Sequence, residues 1–136
     1  MSDTVQKPEI RKFDLGAFVT AGAFTPQGVA GFALGSGALV VADTKGELYS
    51  TEVNADGALL SLAVDPGQES FLTGDDGGKV ARIHAAGGGE TVEIIKGKWI
   101  EHLVAHPGRK AFAFSAGKQA VVIDAKGRRA LGPHPS

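Results

Sequence analysis

The sequence contains no cysteine. This absence excludes a disulfide framework, a thiolate nucleophile and a zinc site with cysteine ligands. A chain that uses no disulfides suits a reducing compartment, so we expect a cytoplasmic protein.

Long apolar runs are missing too. No run approaches the roughly 18 residues that a membrane-spanning helix needs, and the polar start, Met1 to Glu9, lacks the apolar core of a secretory signal. The sequence therefore predicts a soluble protein that has no membrane partner and begins with a flexible tail over residues 1–9.

An excess of charge of one sign is also absent, because the net charge is −1. This excludes a nucleic-acid footprint spread over the whole surface. The charges are nevertheless uneven. Eight acidic residues and one lysine fall between Val41 and Asp76, whereas eight basic and two acidic residues fall between Lys96 and Arg129. Either these are scattered solvated positions, or they form a field that steers association, including that of one copy with another.

A catalytic constellation is missing as well. Of the four histidines, His84, His102, His106 and His134, only His102 and His106 stand four residues apart, and no helix is predicted there to present them together to a metal. His84 is predicted to form a hydrogen bond at a strand end, and His102 with Glu101 is the one candidate for lining a central channel. The glycines at 87–89 are not followed by the lysine of a phosphate loop. We therefore expect no enzymatic activity, no metal and no cofactor.

The sequence does contain a repeat. Pro26, Pro66 and Pro107 recur at spacings of 40 and 41 residues, each just after a short apolar run. A second set of markers, Asp43, His84 and Asp124, keeps the same period. A period of about 40 to 45 residues made of short strands is the size of one four-stranded propeller blade.

The strands of this repeat can be read from apolar runs separated by glycine-rich turns. No stretch keeps helical spacing, so the fold class is all-β, with three consecutive four-stranded antiparallel blades at about residues 17–53, 57–95 and 99–131. One further strand is predicted before them at Ile10 to Leu15. The predicted blade strands are 19–24, 29–34, 38–43 and 47–53, then 59–64, 69–73, 79–84 and 91–95, then 100–105, 110–115, 119–124 and 128–131.

The residues from Ser70 to His84, SFLTGDDGGKVARIH, resemble the second half of a WD40 repeat, in which a strand, an Asp-Gly turn and a second strand end in Trp-Asp. The other copies end in Ala42-Asp43 and Ile123-Asp124. The resemblance covers residues 10–136, although Ala42, Ile83 and Ile123 stand where the family has its tryptophan. It implies an incomplete propeller, because three blades do not close a ring. The chain would then be a piece of a longer propeller, or one that another chain completes.

The resemblance also implies that one face of the propeller binds partners. The link around Trp99 would open on that face together with the turns at Asp75-Asp76 and at 116–118. The candidate partner-binding residues are Asp75, Asp76, Lys98, Trp99 and Lys118. Two alternatives remain open for these residues. Trp99 can instead pack between blades, and the two aspartates can serve their own turn or hold a calcium ion.

These observations favour a non-catalytic propeller scaffold that mediates protein–protein interaction and belongs to a larger propeller. The basic cluster Lys126 to Arg129 is interpreted as a protected outer edge rather than a binding site. The alternative function is that of an enzyme fragment or small-ligand propeller, with its site in the central channel at Glu101 and His102.

Overall fold

The structure is a computed structural model that describes residues 12–67, 69–124 and 126–131. Twelve strands form three separate four-stranded antiparallel sheets, and within each sheet the strands are paired in chain order. Blade 1 consists of β1 (Val19–Phe24), β2 (Ala30–Leu34), β3 (Ala38–Ala42) and β4 (Leu48–Glu52). Blade 2 consists of β5 (Leu59–Val64), β6 (Ser70–Asp75), β7 (Lys79–His84) and β8 (Gly89–Ile94). Blade 3 consists of β9 (Leu103–His106), β10 (Ala111–Ala116), β11 (Gln119–Asp124) and β12 (Gly127–Leu131).

The two repeated sequence markers fall at equivalent places in the blades. Each of the three prolines lies between the first and second strands of its blade, and Pro107 opens a short 3-10 turn. Asp43, His84 and Asp124 lie at the ends of the third strands. There the carboxylates of Asp43 and Asp124 accept main-chain hydrogen bonds from Lys45 and Lys126, at 2.9 and 2.8 Å, which stabilises the turn into the fourth strand.

Blade 2 is buried on both faces because it lies between the other two blades. Its second strand, β6, has every residue buried, whereas β5 alternates between buried and half-buried positions. One apolar cluster joins blades 1 and 2 around Leu39, Leu59 and Phe71. A second cluster joins blades 2 and 3 around Leu72, Ile100 and Phe114. The core therefore lies between sheets that pack face to face.

The first strands of the three blades lie side by side along the inner edge, β1 against β5 and β5 against β9. Two side-chain hydrogen bonds join them. Thr20 Oγ1 donates to the carbonyl of Leu59 at 2.8 Å, and Ser61 Oγ donates to the carbonyl of Ile100 at 2.7 Å. Both bonds span 39 residues, so the same inter-blade contact is made twice.

All twelve predicted blade strands are present, and β1, β5, β7 and β11 have the predicted bounds. The prediction for β9 was wrong at its start, because residues 100–102 are not in a strand. Ile100 is nevertheless fully buried. The prediction of a strand at Ile10 to Leu15 does not hold for Lys12 to Leu15, which form no strand, and residues 10 and 11 lie outside the described residues. The tail at 1–9 and His134 lie outside them as well.

The ring is open over the part of the chain that the structure describes. No strand pairing there joins blade 3 to blade 1, as three blades predict. The same residues contain no helix long and apolar enough to cross a membrane.

Candidate functional site

The turns at one end of blades 2 and 3 come together around the link from β8 to β9. The main-chain N–H of Ile95 donates to the carbonyl of Gly78 at 2.8 Å, and that of Ile100 donates to the carbonyl of Asp75 at 3.0 Å. These two bonds hold the link against the β6–β7 turn, with Lys98 and Trp99 between them.

The glycine at this turn is required by its surroundings. Gly78 has a φ of 95°, and a side-chain carbon there would collide with the carbonyl of Ile95. Gly37 stands 41 residues earlier with a φ of 92°, and its carbonyl accepts from Val53 N at 3.0 Å. The link between blades is therefore built in the same way twice, which explains why both turns end in glycine.

Trp99 is exposed on this link. Its side chain is 58% exposed, whereas the next residue, Ile100, is fully buried in the cluster between blades 2 and 3. The alternative in which Trp99 packs between blades does not hold, because Ile100 occupies that position.

Two lysines flank Trp99 on the same surface. Lys98 and Lys118 are both exposed. The side chain of Lys98 extends over the β10–β11 turn, since a carbon added at Gly117 would lie 3.4 Å from Lys98 Cδ. Lys118 follows Gly117 directly in that turn. We call Lys98, Trp99 and Lys118 the Trp99 surface.

The two aspartates of the candidate set have a different role. Asp75 is only 2% exposed, and its Oδ1 accepts from the main-chain N–H groups of Gly77 and Lys79, at 2.9 and 2.8 Å. Its carboxylate is buried and stabilises the turn. Asp76 is half-buried, and its carboxylate accepts from Ala58 N at 3.2 Å and from Asn54 Nδ2 at 3.3 Å. Asp76 therefore joins the link between β4 and β5 to the turn between β6 and β7.

Glu101 and His102, the candidates for the central channel, are exposed just before β9. Their side chains form no hydrogen bond or ion pair within the described ranges. No group of three or more carboxylates and imidazoles in those ranges is arranged to hold a metal ion. His84 forms the predicted strand-end hydrogen bond, 2.9 Å from its Nδ1 to Ser70 Oγ.

Two clusters of interacting charged side chains lie elsewhere. Burial, the largest single effect, lowers the pKa of Arg82, but its hydrogen bond to Asp65 at 2.9 Å, the charge of Asp65 and the contact with Glu90 together raise the pKa. On blade 1, the Tyr49 hydroxyl donates to Glu47 Oε2 at 2.8 Å, and this bond raises the pKa of Tyr49 to about 12. The sequence pattern singles out neither cluster. Arg82 meets Glu90 because β7 pairs with β8, whereas Tyr49 and Glu47 stand only two residues apart.

The three sheets, their order and the repeated links define the fold as that of WD40-like propeller blades. The WD40 repeats of RRP9 superpose with a TM-score of 0.77 at 12% identity, covering 91% of this chain and 41% of that one. Sqt1 from Chaetomium thermophilum superposes with a TM-score of 0.72 at 23% identity, covering 84% and 35%. The dihydro-heme d1 dehydrogenase NirN, solved in complex with DHE, does so with a TM-score of 0.70 at 17% identity, covering 86% and 28%.

The chain thus spans less than half the length of each of these structures. No family model matches the sequence, and no curated protein does so either. At these identities the similarity establishes the fold, and the function has to be argued from the surface.

Proposed function

We propose that this chain is a non-catalytic propeller scaffold that binds an acidic segment of another protein at the Trp99 surface. The observation that carries the proposal is the exposed Trp99 between two exposed lysines, on links held rigidly by main-chain hydrogen bonds. Exposed tryptophans are enriched among residues that dominate binding energy, and lysines beside them select an acidic partner.

The surroundings of Trp99 support binding over a role in folding. Its ring is mostly exposed, so burial by a partner removes apolar area from water. Asp75 and Asp76 are bound to main-chain groups, which leaves Lys98 and Lys118 as the charged groups of the surface. The similar WD40 structures are consistent with a scaffold, and the compartment is proposed to be the cytoplasm because the sequence uses no cysteine.

The first experiment uses Trp99 as its own probe, because it is the only tryptophan in the chain. A glutamate-rich peptide is titrated into the protein while tryptophan fluorescence is followed, with the same peptide carrying glutamine as the control. We expect the fluorescence to change when the acidic peptide is added and to stay constant when the glutamine peptide is added. Combined replacement Lys98→Ala and Lys118→Ala should weaken binding about tenfold or more.

The second experiment separates binding from stability. Trp99→Ala should abolish capture of the acidic peptide on beads and leave the melting temperature within a few degrees. Ile100→Ala, at the neighbouring buried position, should lower the free energy of unfolding by about 2–5 kcal/mol. Equal binding of the acidic and glutamine peptides, or collapse of the fold in Trp99→Ala, would contradict the proposal.

A further inference from the structure

The sequence contains two Asp-Gly pairs, and the fold places them in different surroundings. Asp56 and Gly57 lie in the link between β4 and β5, which joins blade 1 to blade 2, whereas Asp76 and Gly77 lie in the turn between β6 and β7. An Asp-Gly pair is intrinsically reactive, because glycine has no side chain to hinder the attack of its main-chain nitrogen on the preceding carboxyl group. The two pairs can therefore be compared within one chain.

The pair in the β6–β7 turn is held at both reacting groups. The N–H of Gly77 donates to Asp75 Oδ1 at 2.9 Å. The carboxylate of Asp76 accepts from Ala58 N at 3.2 Å and from Asn54 Nδ2 at 3.3 Å. For this pair to react, the nitrogen would have to leave its acceptor and the carboxylate would have to leave two donors, so the turn would have to open first.

The pair in the link between blades 1 and 2 has neither restraint. Asp56 is exposed, and its carboxylate forms no hydrogen bond or ion pair in the described part of the chain. The N–H of Gly57 donates to no acceptor among the same residues. The N–H of Asp56 donates to Asn54 Oδ1 at 3.1 Å, a bond that shapes the turn without engaging either reacting group.

The fold also requires glycine as the second residue of this pair. A side-chain carbon at Gly57 would collide with Asp76 Oδ1 and would lie 2.8 Å from Asn54 Nδ2. The carboxylate of Asp76 cannot move aside without losing its bonds to Ala58 and Asn54. The packing of the link against the β6–β7 turn thus places an unhindered nitrogen next to Asp56.

We propose that Asp56 is a site of spontaneous isomerisation to isoaspartate. The main-chain nitrogen of Gly57 bonds to the side-chain carbonyl carbon, Cγ, of Asp56, and its proton leaves as water with the hydroxyl of the protonated carboxyl group. Water then adds to one of the two carbonyl carbons of the resulting succinimide ring. Addition at Cγ restores aspartate, whereas addition at the main-chain carbonyl carbon leaves Gly57 attached through Cγ, which is isoaspartate.

Isomerisation would change the contact between blades 1 and 2. The side-chain methylene of Asp56 becomes part of the main chain, which lengthens the link by one carbon and leaves the carboxylate on Cα. Gly57 is packed against the carboxylate of Asp76, and Ala58 follows it directly, so the longer link displaces both. We therefore expect the bonds from Ala58 and Asn54 to Asp76 to weaken and the free energy of unfolding to fall.

The test is storage of the 136-residue chain for several weeks at neutral pH and physiological temperature, followed by digestion with a protease that cleaves after glutamate. Such a protease puts Asp56 in fragment 53–69 and Asp76 in fragment 70–90. Chromatography separates an isoaspartyl peptide from the aspartyl peptide of equal mass, and methylation by an isoaspartyl methyltransferase marks it. The other aspartate of the first fragment, Asp65, precedes a proline, which has no N–H to react.

We expect the isoaspartyl form to be at least about tenfold more abundant in fragment 53–69 than in fragment 70–90, because the second pair reacts only after its turn opens. The first control is storage of the two fragments after digestion. Without the fold, both should form isoaspartate at comparable rates. The second control is Asp56→Ser, which keeps a residue that favours turns and removes the reacting carboxyl group.

The effect on the junction is measured by melting. The stored protein should melt at a lower temperature than the fresh protein, whereas stored and fresh Asp56→Ser should melt at the same temperature. An isomerised protein that melts like the fresh one would contradict the effect on the contact between blades 1 and 2.

Three results would overturn the assignment of Asp56. They are the absence of isoaspartate from fragment 53–69, equal amounts in both fragments of the stored protein, and isoaspartate in fragment 53–69 of stored Asp56→Ser. Asp56 is not part of the Trp99 surface, so failure here leaves the acidic-peptide experiment standing.

Discussion

At the scale of single residues, the sole tyrosine gives the most direct prediction. The bond from the Tyr49 hydroxyl to Glu47 favours the neutral phenol and raises the pKa to about 12 from an ordinary value of 10.0. Because the folded-state pKa is the higher one, the stabilisation is complete below pH 10 and is lost as the pH rises through about 12. A titration of the phenolate absorbance of the folded protein should therefore have its midpoint near pH 12.

The control for this titration is Glu47→Gln, which removes the nearby negative charge and the carboxylate acceptor. Its midpoint should move back towards that of the unfolded chain. A midpoint near pH 10 in the original protein would show that the bond between Tyr49 and Glu47 does not persist in solution.

Single-residue roles could be predicted from sequence where they depend on near neighbours in the chain. Asp75 bonds to groups two and four residues ahead, and an Asp-Asp-Gly-Gly sequence indicates such a turn by itself. The exposure of Trp99 could not be predicted in this way. It depends on Ile100 taking the buried place, and either residue of the pair is apolar enough to be buried.

At the scale of strands and sheets, close packing between blades depends on one glycine. An alanine at Gly31 would place its side-chain carbon 2.7 to 2.9 Å from the ring of Phe71, which is fully buried and cannot move aside. Gly31→Ala should therefore lower the free energy of unfolding by about 1–3 kcal/mol through overpacking. Denaturation by urea measures the change.

Gly22→Ala is the matched control on the neighbouring strand. The nearest atom to an added carbon there is 3.4 Å away on Phe32, which is close to ordinary contact. We expect Gly22→Ala to cost less than Gly31→Ala. Equal losses would show that glycine-to-alanine replacement in these strands acts through something other than the contact with Phe71.

Strand positions were largely predictable because alternating apolar residues and glycine turns act within one blade. The start of β9 was not, because Ile100 is buried in the cluster between blades 2 and 3 without being part of a strand. Periodicity reports that a residue is buried and cannot report which sheet buries it. The same limit applies to Leu15, which lies beside β3 and β4 of blade 1 without forming a strand.

At the scale of the whole molecule, the repeat predicted the number of blades, but the contacts that join them were not visible in the sequence. Thr20 and Ser61 are ordinary small polar residues on inner strands. Their importance comes from the carbonyls of Leu59 and Ile100, which the fold brings within 2.8 and 2.7 Å. Each bond ties one blade to the first residues of the next, so we expect neighbouring blades to unfold together.

Ser61→Ala tests that coupling. Its hydroxyl is buried, and its loss leaves the Ile100 carbonyl without this donor, which should lower the free energy of unfolding by about 1–3 kcal/mol. Ser50→Ala, on the exposed outer strand β4, should have little effect. If the bond joins the blades, hydrogen exchange should lose protection to the same extent in β6 and in β10. A loss confined to β6 would mean that blade 3 stays folded when blade 2 opens, and that the arc is a row of independent sheets.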